Sequence, residues 1–186
     1  AAGIEEIYLV RGYLSEQFDQ LLYKYPNIKF IENPAYNEAN NISSAMCVRY
    51  LLNNAYVCEG DILLHNPKII QKYQYKSNYC GIKCDRTDDW CLFENKGRIT
   101  GYAVGGENCH QMMGISYWTE EDGRKLGDCI KKVYEMPGGK ERYWDQVALG
   151  YYVEDFDISI RECSFDDFIE IDTFNELKAI DKIYDV

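Results

Sequence analysis

Three carboxylates follow strand-like apolar runs, a position at which acidic side chains can bind a metal ion. Asp61 lies in VCEGDILL, near the carboxyl end of a hydrophobic strand, the edge at which open α/β sheets bind ligands. Glu170 and Asp172 alternate with apolar residues in FIEIDT, so both project from one face of an extended segment. Carboxylate oxygens are ligands that Mg²⁺ prefers. We predict a metal site, with two alternatives left open: Asp61 caps the following turn, and the other two acids form a solvated strand edge that ends in a helix N-cap.

Two large rings and an acid follow one another at Tyr143, Trp144 and Asp145. Neighbouring helix residues point about 100° apart, so the three side chains cannot all face one core. A further ring, Trp90, directly follows two acids at 88–89. Rings backed by carboxylates bind a quaternary ammonium through cation–π contacts of about 0.5–2 kcal/mol each. The pattern indicates a pocket for such a cation, while a core position stays open for Tyr143 and Trp144.

The charge of the chain limits its partners. It has 186 residues, a net charge of -11 and 46% hydrophobic residues, which is ordinary for a globular protein with a real core. The negative charge argues against nucleic-acid binding, which requires a basic surface, and it suits divalent metals or a cationic ligand. No apolar run of about 18 residues and no signal-peptide pattern occurs, so we expect neither a membrane span nor secretion.

Eight cysteines are scattered along the chain. Most lie inside apolar runs, so we interpret them as reduced core residues of a cytoplasmic protein. The alternative is a zinc site, but the spacing of the nearest candidates matches no standard ligand pattern. Those candidates are Cys80, Cys84, Cys91, Cys109 and His110.

Alternating strands and helices are predicted to position these residues in the first part of the chain. The predicted segments are a strand at 7–12, a helix at 15–24, a strand at 28–33, a helix at 40–54, a strand at 55–64 and a helix at 66–75. Such alternation indicates a parallel α/β sheet.

The pattern changes after residue 75. Four strand-like runs lie between residues 79 and 118, with a hairpin turn at 94–98 (ENKGR). Helices are then predicted at 119–135 and 140–154, a strand at 157–163, an extended segment at 168–173 and a closing helix at 174–183. No linker rich in Pro, Gly or Ser interrupts the chain, so we expect one domain over residues 1–186.

Seven stretches occur in an order that resembles a known family. They are GIEEIYLVRGYLSEQF, NNISSAM, CEGDILL, DDWCLFEN, GISYW, RYWDQV and IEIDTFNEL. Across nearly the whole chain they resemble the bacterial CTP:phosphocholine cytidylyltransferases of the sugar-nucleotidyltransferase-like superfamily. The resemblance implies a Rossmann-like, three-layer α/β/α (GT-A-like) nucleotidyltransferase fold with a mixed sheet. It also implies Mg²⁺-dependent transfer of CMP from CTP to phosphocholine, giving CDP-choline and pyrophosphate.

The resemblance assigns roles to particular residues. The implied metal ligands are Asp61 and Asp172. The implied choline pocket consists of Trp90, Tyr143, Asp145 and Glu170, with Trp144 either in it or behind it. The residues implied near the nucleotide are Asn40, Asn41 and Ser43.

The beginning of the chain departs from the family pattern. Such enzymes begin with a strand, a Gly-rich loop and a Pro-Lys pair that hold the triphosphate, whereas this chain opens with AAGIEEIYLV. We therefore expect the first βα unit to be absent from this chain, leaving open sheet edges beside two apolar strands. The alternatives are a nucleotidyltransferase for 2-aminoethylphosphonate or a sugar 1-phosphate, and a non-catalytic binding domain without its phosphate loop. A choline kinase or another domain fused outside this chain also stays open.

Overall fold

The structure, a computed structural model, describes residues 2–184. The strands are β1 (Ile7–Arg11), β2 (Ile28–Glu32), β3 (Ala55–Cys58), β4 (Ile62–Leu64), β5 (Asn78–Asn95), β6 (Arg98–Trp118), β7 (Ser159–Glu162) and β8 (Phe168–Glu170). The α-helices are α1 (Leu21–Lys24), α2 (Ile42–Val48), α3 (Glu120–Glu135) and α4 (Phe174–Ile180). Short 3-10 helices occupy Ser15–Gln20, Arg49–Leu51, Pro67–Ile69, Val153–Asp155 and Lys182–Tyr184, and a π-helical turn occupies Val147–Tyr151.

Strand pairing is mixed, as the resemblance implies, and the parallel sheet expected from the first 75 residues is limited to the β1–β2 pair, because β3 and β4 pair antiparallel with later strands. A four-stranded sheet has the order β3-β6-β5-β7, in which only the β5–β7 pair is parallel. β1 and β2 form a separate parallel pair, and β4 and β8 form an antiparallel pair. Within residues 2–184, β1 and β3 each hydrogen-bond to one strand only, so each leaves one edge without a strand partner.

The four predicted strand runs between 79 and 118 are the two bent halves of β5 and the two bent halves of β6. The predicted turn is correct: Lys96 and Gly97 connect the strands with φ of 53° and 78°, the left-handed conformations that suit a two-residue hairpin. Register shifts bend both strands. The hairpin curls so far that Cys91 of β5 pairs with two residues of β6, Ala103 on one side and Gln111 on the other. The bend places Trp90 outside the larger group of buried residues described below.

Several predicted elements are shorter than the sequence pattern suggests. The helix expected at 66–75 is a single turn, Pro67–Ile69, and the helix expected at 140–154 is reduced to the π-helical turn and one 3-10 turn. The predicted helix at 15–24 is mostly 3-10, and the helix at 40–54 ends its α-helical part at Val48. Isolated short helices are only marginally stable, so tertiary contacts decide their length.

The strand predicted at 55–64 is two strands with a bend between them. β3 pairs with β6, and the Glu59 amide still donates to the Gly114 carbonyl oxygen at 2.9 Å. After Gly60 the chain leaves β6, and β4 pairs instead with β8. An uninterrupted apolar pattern cannot reveal that its two halves have different partners.

Two groups of buried residues lie against the sheet. The larger group joins α2, α3 and the segment 144–149 to one face, with Trp118, Tyr79 and Leu126 at its centre. The smaller group includes Ile82, Ile115 and Phe168. All eight cysteines lie within the described residues and are free thiols, and the sulfur atoms of Cys84 and Cys109 are 3.8 Å apart.

Two glycines let α3 pack against the chain that follows α2. A Cβ at Gly123 would lie 2.2 Å from the Leu52 carbonyl oxygen, and one at Gly127 would lie 2.3 Å from the Arg49 carbonyl oxygen. These separations are far below van der Waals contact, so any larger residue must displace backbone.

We predict that Gly127→Ala lowers the free energy of unfolding by about 1–3 kcal/mol, because overpacking outweighs the better helix propensity of alanine. Urea denaturation measures the change. The matched control is Asp128→Ala on the exposed side of α3, which should stay within about 0.5 kcal/mol of the wild type. Equal changes in the two variants would contradict the packing argument.

Candidate active site

The bend after β3 brings three acids together. Glu59 and Asp61 flank Gly60, and the Asp61 carbonyl oxygen accepts a hydrogen bond from the Ile171 amide at 2.9 Å. β8 ends at Glu170, which pairs with Ile62. One carboxylate oxygen from each of Glu59, Asp61 and Glu170 lies within 4.8 Å of the others. We call these three residues the acid cluster.

Burial and mutual repulsion perturb the acid cluster. Burial raises the pKa of Glu59 to about 7, and the charges of Asp145, Asp61 and Asp172 add to the rise. Burial likewise raises the pKa of Glu170 to about 7, with Asp172 the largest charge contribution. Repelling carboxylates so placed are stabilised by protons or by a cation.

The acid cluster fits a hard divalent cation. Its donors are all carboxylate oxygens, they lie within 4.8 Å of one another, and Mg–O bonds of about 2.1 Å place ligand atoms at most about 4.2 Å apart. Asp61 is a member of this cluster, and its role as a metal ligand stays a prediction. Asp172 is near enough for its charge to act on Glu59 and Glu170, but it is not a member of the cluster.

Sequence reasoning missed Glu59. It lies two residues before Asp61, and residues at that spacing share one face of an extended segment, so the signal was present in CEGD.

The expected helix N-cap lies one residue beyond the predicted acids. Thr173 caps α4, and its side chain accepts from the Glu176 amide in a capping box.

Asp145 lies at the buried side of the site. It is 3% exposed, and the Tyr79 hydroxyl donates to its Oδ1 at 2.5 Å. Burial raises the pKa of Asp145 to about 6, although the bond from Tyr79 opposes the rise. The charge of Asp145 in turn raises the pKa of Glu59, so the two carboxyls are near neighbours.

Trp144 lies behind the site, the second of its two expected positions. It is 5% exposed and packs in the core, where its ring is 6.3 Å from that of Tyr79 and 6.2 Å from that of Trp118. The Trp144 amide donates to the Asn41 side-chain oxygen at 2.9 Å, which fixes this turn against the start of α2. Its ring therefore supports the site from the core side.

Three other rings form what we call the aromatic wall: Trp90, Tyr102 and Tyr143. The Trp90 ring stacks on Tyr102 with 5.2 Å between centroids and 13° between planes. Tyr143 meets Trp90 edge-on at 5.3 Å and is 43% exposed. Asp89, the residue before Trp90, is near enough for its charge to act on Glu170, and Asp145, two residues after Tyr143, is near enough to act on Glu59, so the acids next to these rings in sequence neighbour the acid cluster.

The residues expected near the nucleotide bind other parts of this chain. The Asn40 backbone amide donates to the Lys140 carbonyl oxygen at 2.7 Å. The Asn41 side-chain oxygen accepts from the Trp144 backbone amide. The Ser43 hydroxyl is buried and accepts from Asn33 at 2.9 Å. The bonds of Asn40 and Asn41 join the start of α2 to the segment that carries Asp145, and nucleotide contact by all three residues stays a prediction.

Comparison with solved structures gives the class of protein. The structure matches that of CTP:phosphocholine cytidylyltransferase from Streptococcus pneumoniae with a TM-score of 0.86 and 26% identity. The match covers 98% of this chain and 79% of that chain. With its mixed sheet, the chain is a nucleotidyltransferase with the predicted Rossmann-like α/β fold.

The relatives narrow the class to a family. The chain is 33% identical to 2-aminoethylphosphonate cytidylyltransferase from Lancefieldella rimae, over 98% of this chain and 76% of that protein. It is 28% identical to choline-phosphate cytidylyltransferase from Haemophilus influenzae, over 96% of this chain and 77% of that protein. The chain therefore belongs to the bacterial cytidylyltransferases related to CTP:phosphocholine cytidylyltransferase, which are enzymes. No protein-family model matches it.

One further property concerns membranes. Among the residues that the structure describes, no helix is both long enough and apolar enough to span a bilayer.

We predict that the metal-free protein loses stability as the pH rises from about 4 to about 8. The folded-state pKa values of Asp145 and Glu59 are raised to about 6 and about 7, so the folded state binds these protons more tightly than the unfolded state. Stability from such groups is fully present below their ordinary pKa values and is lost as the pH passes through the raised values.

Urea denaturation in the presence of a chelator, at several pH values, measures this dependence. Asp145→Asn should flatten the loss of stability between about pH 4 and pH 6, because it removes the group that titrates there. Asp166→Asn, at an exposed carboxylate, is the matched control and should leave the profile unchanged. Stability that rises with pH over this range would refute the prediction.

Proposed function

We propose that this protein transfers CMP from CTP to a small phosphorylated amine, with phosphocholine as the first candidate acceptor. The observation that carries this proposal is the aromatic wall beside the acid cluster. Family membership supports the cytidylyl donor, since the relatives are cytidylyltransferases. The products would be CDP-choline and pyrophosphate. A cytoplasmic location is part of the proposal, because eight free thiols suit a reducing compartment.

The aromatic wall favours a quaternary ammonium. A trimethylammonium group cannot donate a hydrogen bond, so it is held by ring faces and by nearby negative charge. Trp90 and Tyr143 offer the rings, and Glu170 and Asp145 offer the charge. Desolvation of the cation against the rings increases the strength of each contact. A sugar 1-phosphate has no cation, so its site would rely on hydrogen-bonding side chains and would not need stacked rings beside acids.

A second candidate acceptor is 2-aminoethylphosphonate. The relative that is 33% identical is a cytidylyltransferase named for that compound. A primary ammonium gains less from rings and more from direct charge-assisted hydrogen bonds to carboxylates. The acid cluster offers such acceptors, so the two candidates differ in how much of the binding free energy comes from the wall.

The reaction needs positioning more than covalent catalysis by the protein. An oxygen of the acceptor phosphate attacks the α-phosphorus of CTP in line, a new P–O bond forms, and the bond to the pyrophosphate oxygen breaks. The wall and the acids would orient the ammonium end so that the phosphate end faces the nucleotide. Asp61, with Glu59 and Glu170 of the acid cluster, would hold Mg²⁺, and Asp172, the other ligand that the resemblance implies, would add its charge beside them. When bound, Mg²⁺ would neutralise charge that develops on the phosphates.

We predict that Asp61→Ala in the full-length protein lowers turnover by at least about 100-fold, because the substituted chain loses a carboxylate at the metal position. Pyrophosphate release measures turnover, and circular dichroism checks that the fold is retained. Asp166→Ala is the matched control, since its carboxylate is exposed and outside the site. Turnover close to the wild-type value in Asp61→Ala would remove Asp61 from the metal site.

The acceptor is tested by the ratio of kcat/KM values for phosphocholine and phosphoethanolamine. Trp90→Ala should reduce this ratio roughly 5- to 30-fold, because the quaternary ammonium depends more on the ring. Asp145→Asn should reduce kcat/KM for both acceptors, because both are cations. Tyr75→Ala changes an aromatic residue that is 97% exposed and serves as the control.

Each other outcome has a definite meaning. An unchanged ratio in Trp90→Ala would remove Trp90 from the pocket. A wild-type preference for 2-aminoethylphosphonate would select the second candidate, and a preference for a sugar phosphate would overturn the amine class. A full-length protein that turns over none of these acceptors would support the non-catalytic binding domain.

A further inference from the structure

We infer that Tyr102, held in place by Gln146, is a positioning residue that sets the orientation of Trp90 towards the acceptor's ammonium group. This inference rests on the proposed function. Neither Tyr102 nor Gln146 was predicted as part of the site. Four contacts on separate elements carry the argument.

The first contact is the ring stack. Trp90 pairs with Val104 and Leu92 pairs with Tyr102, so Trp90 and Tyr102 are diagonal neighbours on one face of the hairpin. Their planes are 13° apart, which means that Tyr102 covers one face of the indole. A cation would have to meet the indole away from this covered face, and the Tyr102 ring determines where the uncovered face points.

The second contact is a bridge made by one amide side chain. Gln146 Nε2 donates to the Tyr102 hydroxyl at 2.8 Å, and Gln146 Oε1 accepts from the Tyr143 amide at 3.0 Å. Both ends of the amide are therefore used. The bridge couples the ring behind Trp90 to the backbone of Tyr143, so the members of the aromatic wall are held in fixed relation.

The third contact limits Tyr102 from its other side. A Cβ at Gly150 would lie 2.9 Å from Tyr102 Cε1, so the ring rests against the bare backbone of the π-helical turn. Tyr102 also packs against the large core group. The Tyr102 ring therefore packs between the Gly150 turn with the core and the Trp90 ring.

The fourth contact fixes the backbone of Trp90. Its amide donates to Asp89 Oδ1 at 2.6 Å, and Asp89 Oδ2 accepts from Gln111 Nε2 at 3.2 Å. With the backbone fixed, the rotation of the indole about its side-chain bonds is the remaining freedom. The stack on Tyr102 removes it, so the ring is oriented before the acceptor binds, which reduces the entropic cost of binding.

The experiment compares Tyr102→Leu, Tyr102→Phe and Gln146→Met in the full-length protein. Tyr102→Leu removes the stack and should raise KM for phosphocholine roughly 5- to 30-fold, with KM for CTP within about twofold of the wild type. Tyr102→Phe keeps the ring but loses the hydroxyl that Gln146 binds, so its KM for phosphocholine should rise less and stay within about fivefold of the wild type. Gln146→Met breaks the bridge and should give an intermediate increase. Tyr75→Leu, at an exposed tyrosine, is the matched control.

A second readout follows the stack without any substrate. Near-ultraviolet circular dichroism should lose the same band in Trp90→Leu and in Tyr102→Leu and should retain it in Tyr102→Phe. Should Tyr102→Leu fail to fold, Tyr102→Phe and Gln146→Met still test the bridge. Their KM for phosphocholine should rise while KM for CTP does not.

Two failures are distinguishable. If the wild type uses a cationic acceptor but the variants lose only unfolding stability, or lose CTP and acceptor binding equally, Tyr102 is a packing residue and the inference is wrong. If the wild type uses no cationic acceptor, the proposed function fails, and the positioning role fails with it, whatever the variants do.

Discussion

Electrostatic repulsion among carboxylates is the constraint on which the rest of this structure depends. Glu59, Asp61 and Glu170 lie closer together than isolated acids would in water, and burial together with this repulsion raises the pKa of both glutamates. The fold offsets the cost with the two strand pairs that meet at the bend and with the core behind them. A site held together against its own charge is preorganised for a cation, because binding relieves a repulsion that already exists.

The curled hairpin extends this site beyond the sheet. β5 and β6 bend together, and their far half brings the aromatic wall beside the acids. The Trp144 amide donates to Asn41 at the start of α2, and Gln146 donates to Tyr102 of the hairpin, so the segment around Asp145 is joined to both. The site therefore combines contributions from the sheet, from the hairpin and from the turn that carries Tyr143, Trp144 and Asp145. No single stretch of sequence contains it.

The sequence predicts the residues with chemical character better than it predicts their neighbours. The structure brings Asp61 into the acid cluster and Trp90 and Tyr143 into ring contact, and the sequence singles out all three, although their roles in binding stay predictions. Tyr102 does not follow from the sequence, because the two-residue turn at Lys96–Gly97 alone would put it on the opposite face from Trp90. One irregularity between Phe93 and Glu94 shifts the register by one residue and reverses the faces. The helices predicted at 66–75 and 140–154 fail for a related reason: apolar spacing indicates burial, but tertiary contacts decide whether the buried turn continues.

The pairing of β4 with β8 has a consequence for the order of folding. It joins Ile62 to Glu170 across more than half of the chain, whereas the hairpin joins residues that are near one another along the chain. Closing a long loop costs more conformational entropy than closing a short one, and contacts between distant residues form more slowly. The hairpin with its stacked rings therefore belongs to the early, local part of folding, and the acid cluster is completed only when the end of the chain docks. A nascent chain still missing its last residues would carry the rings without the third acid.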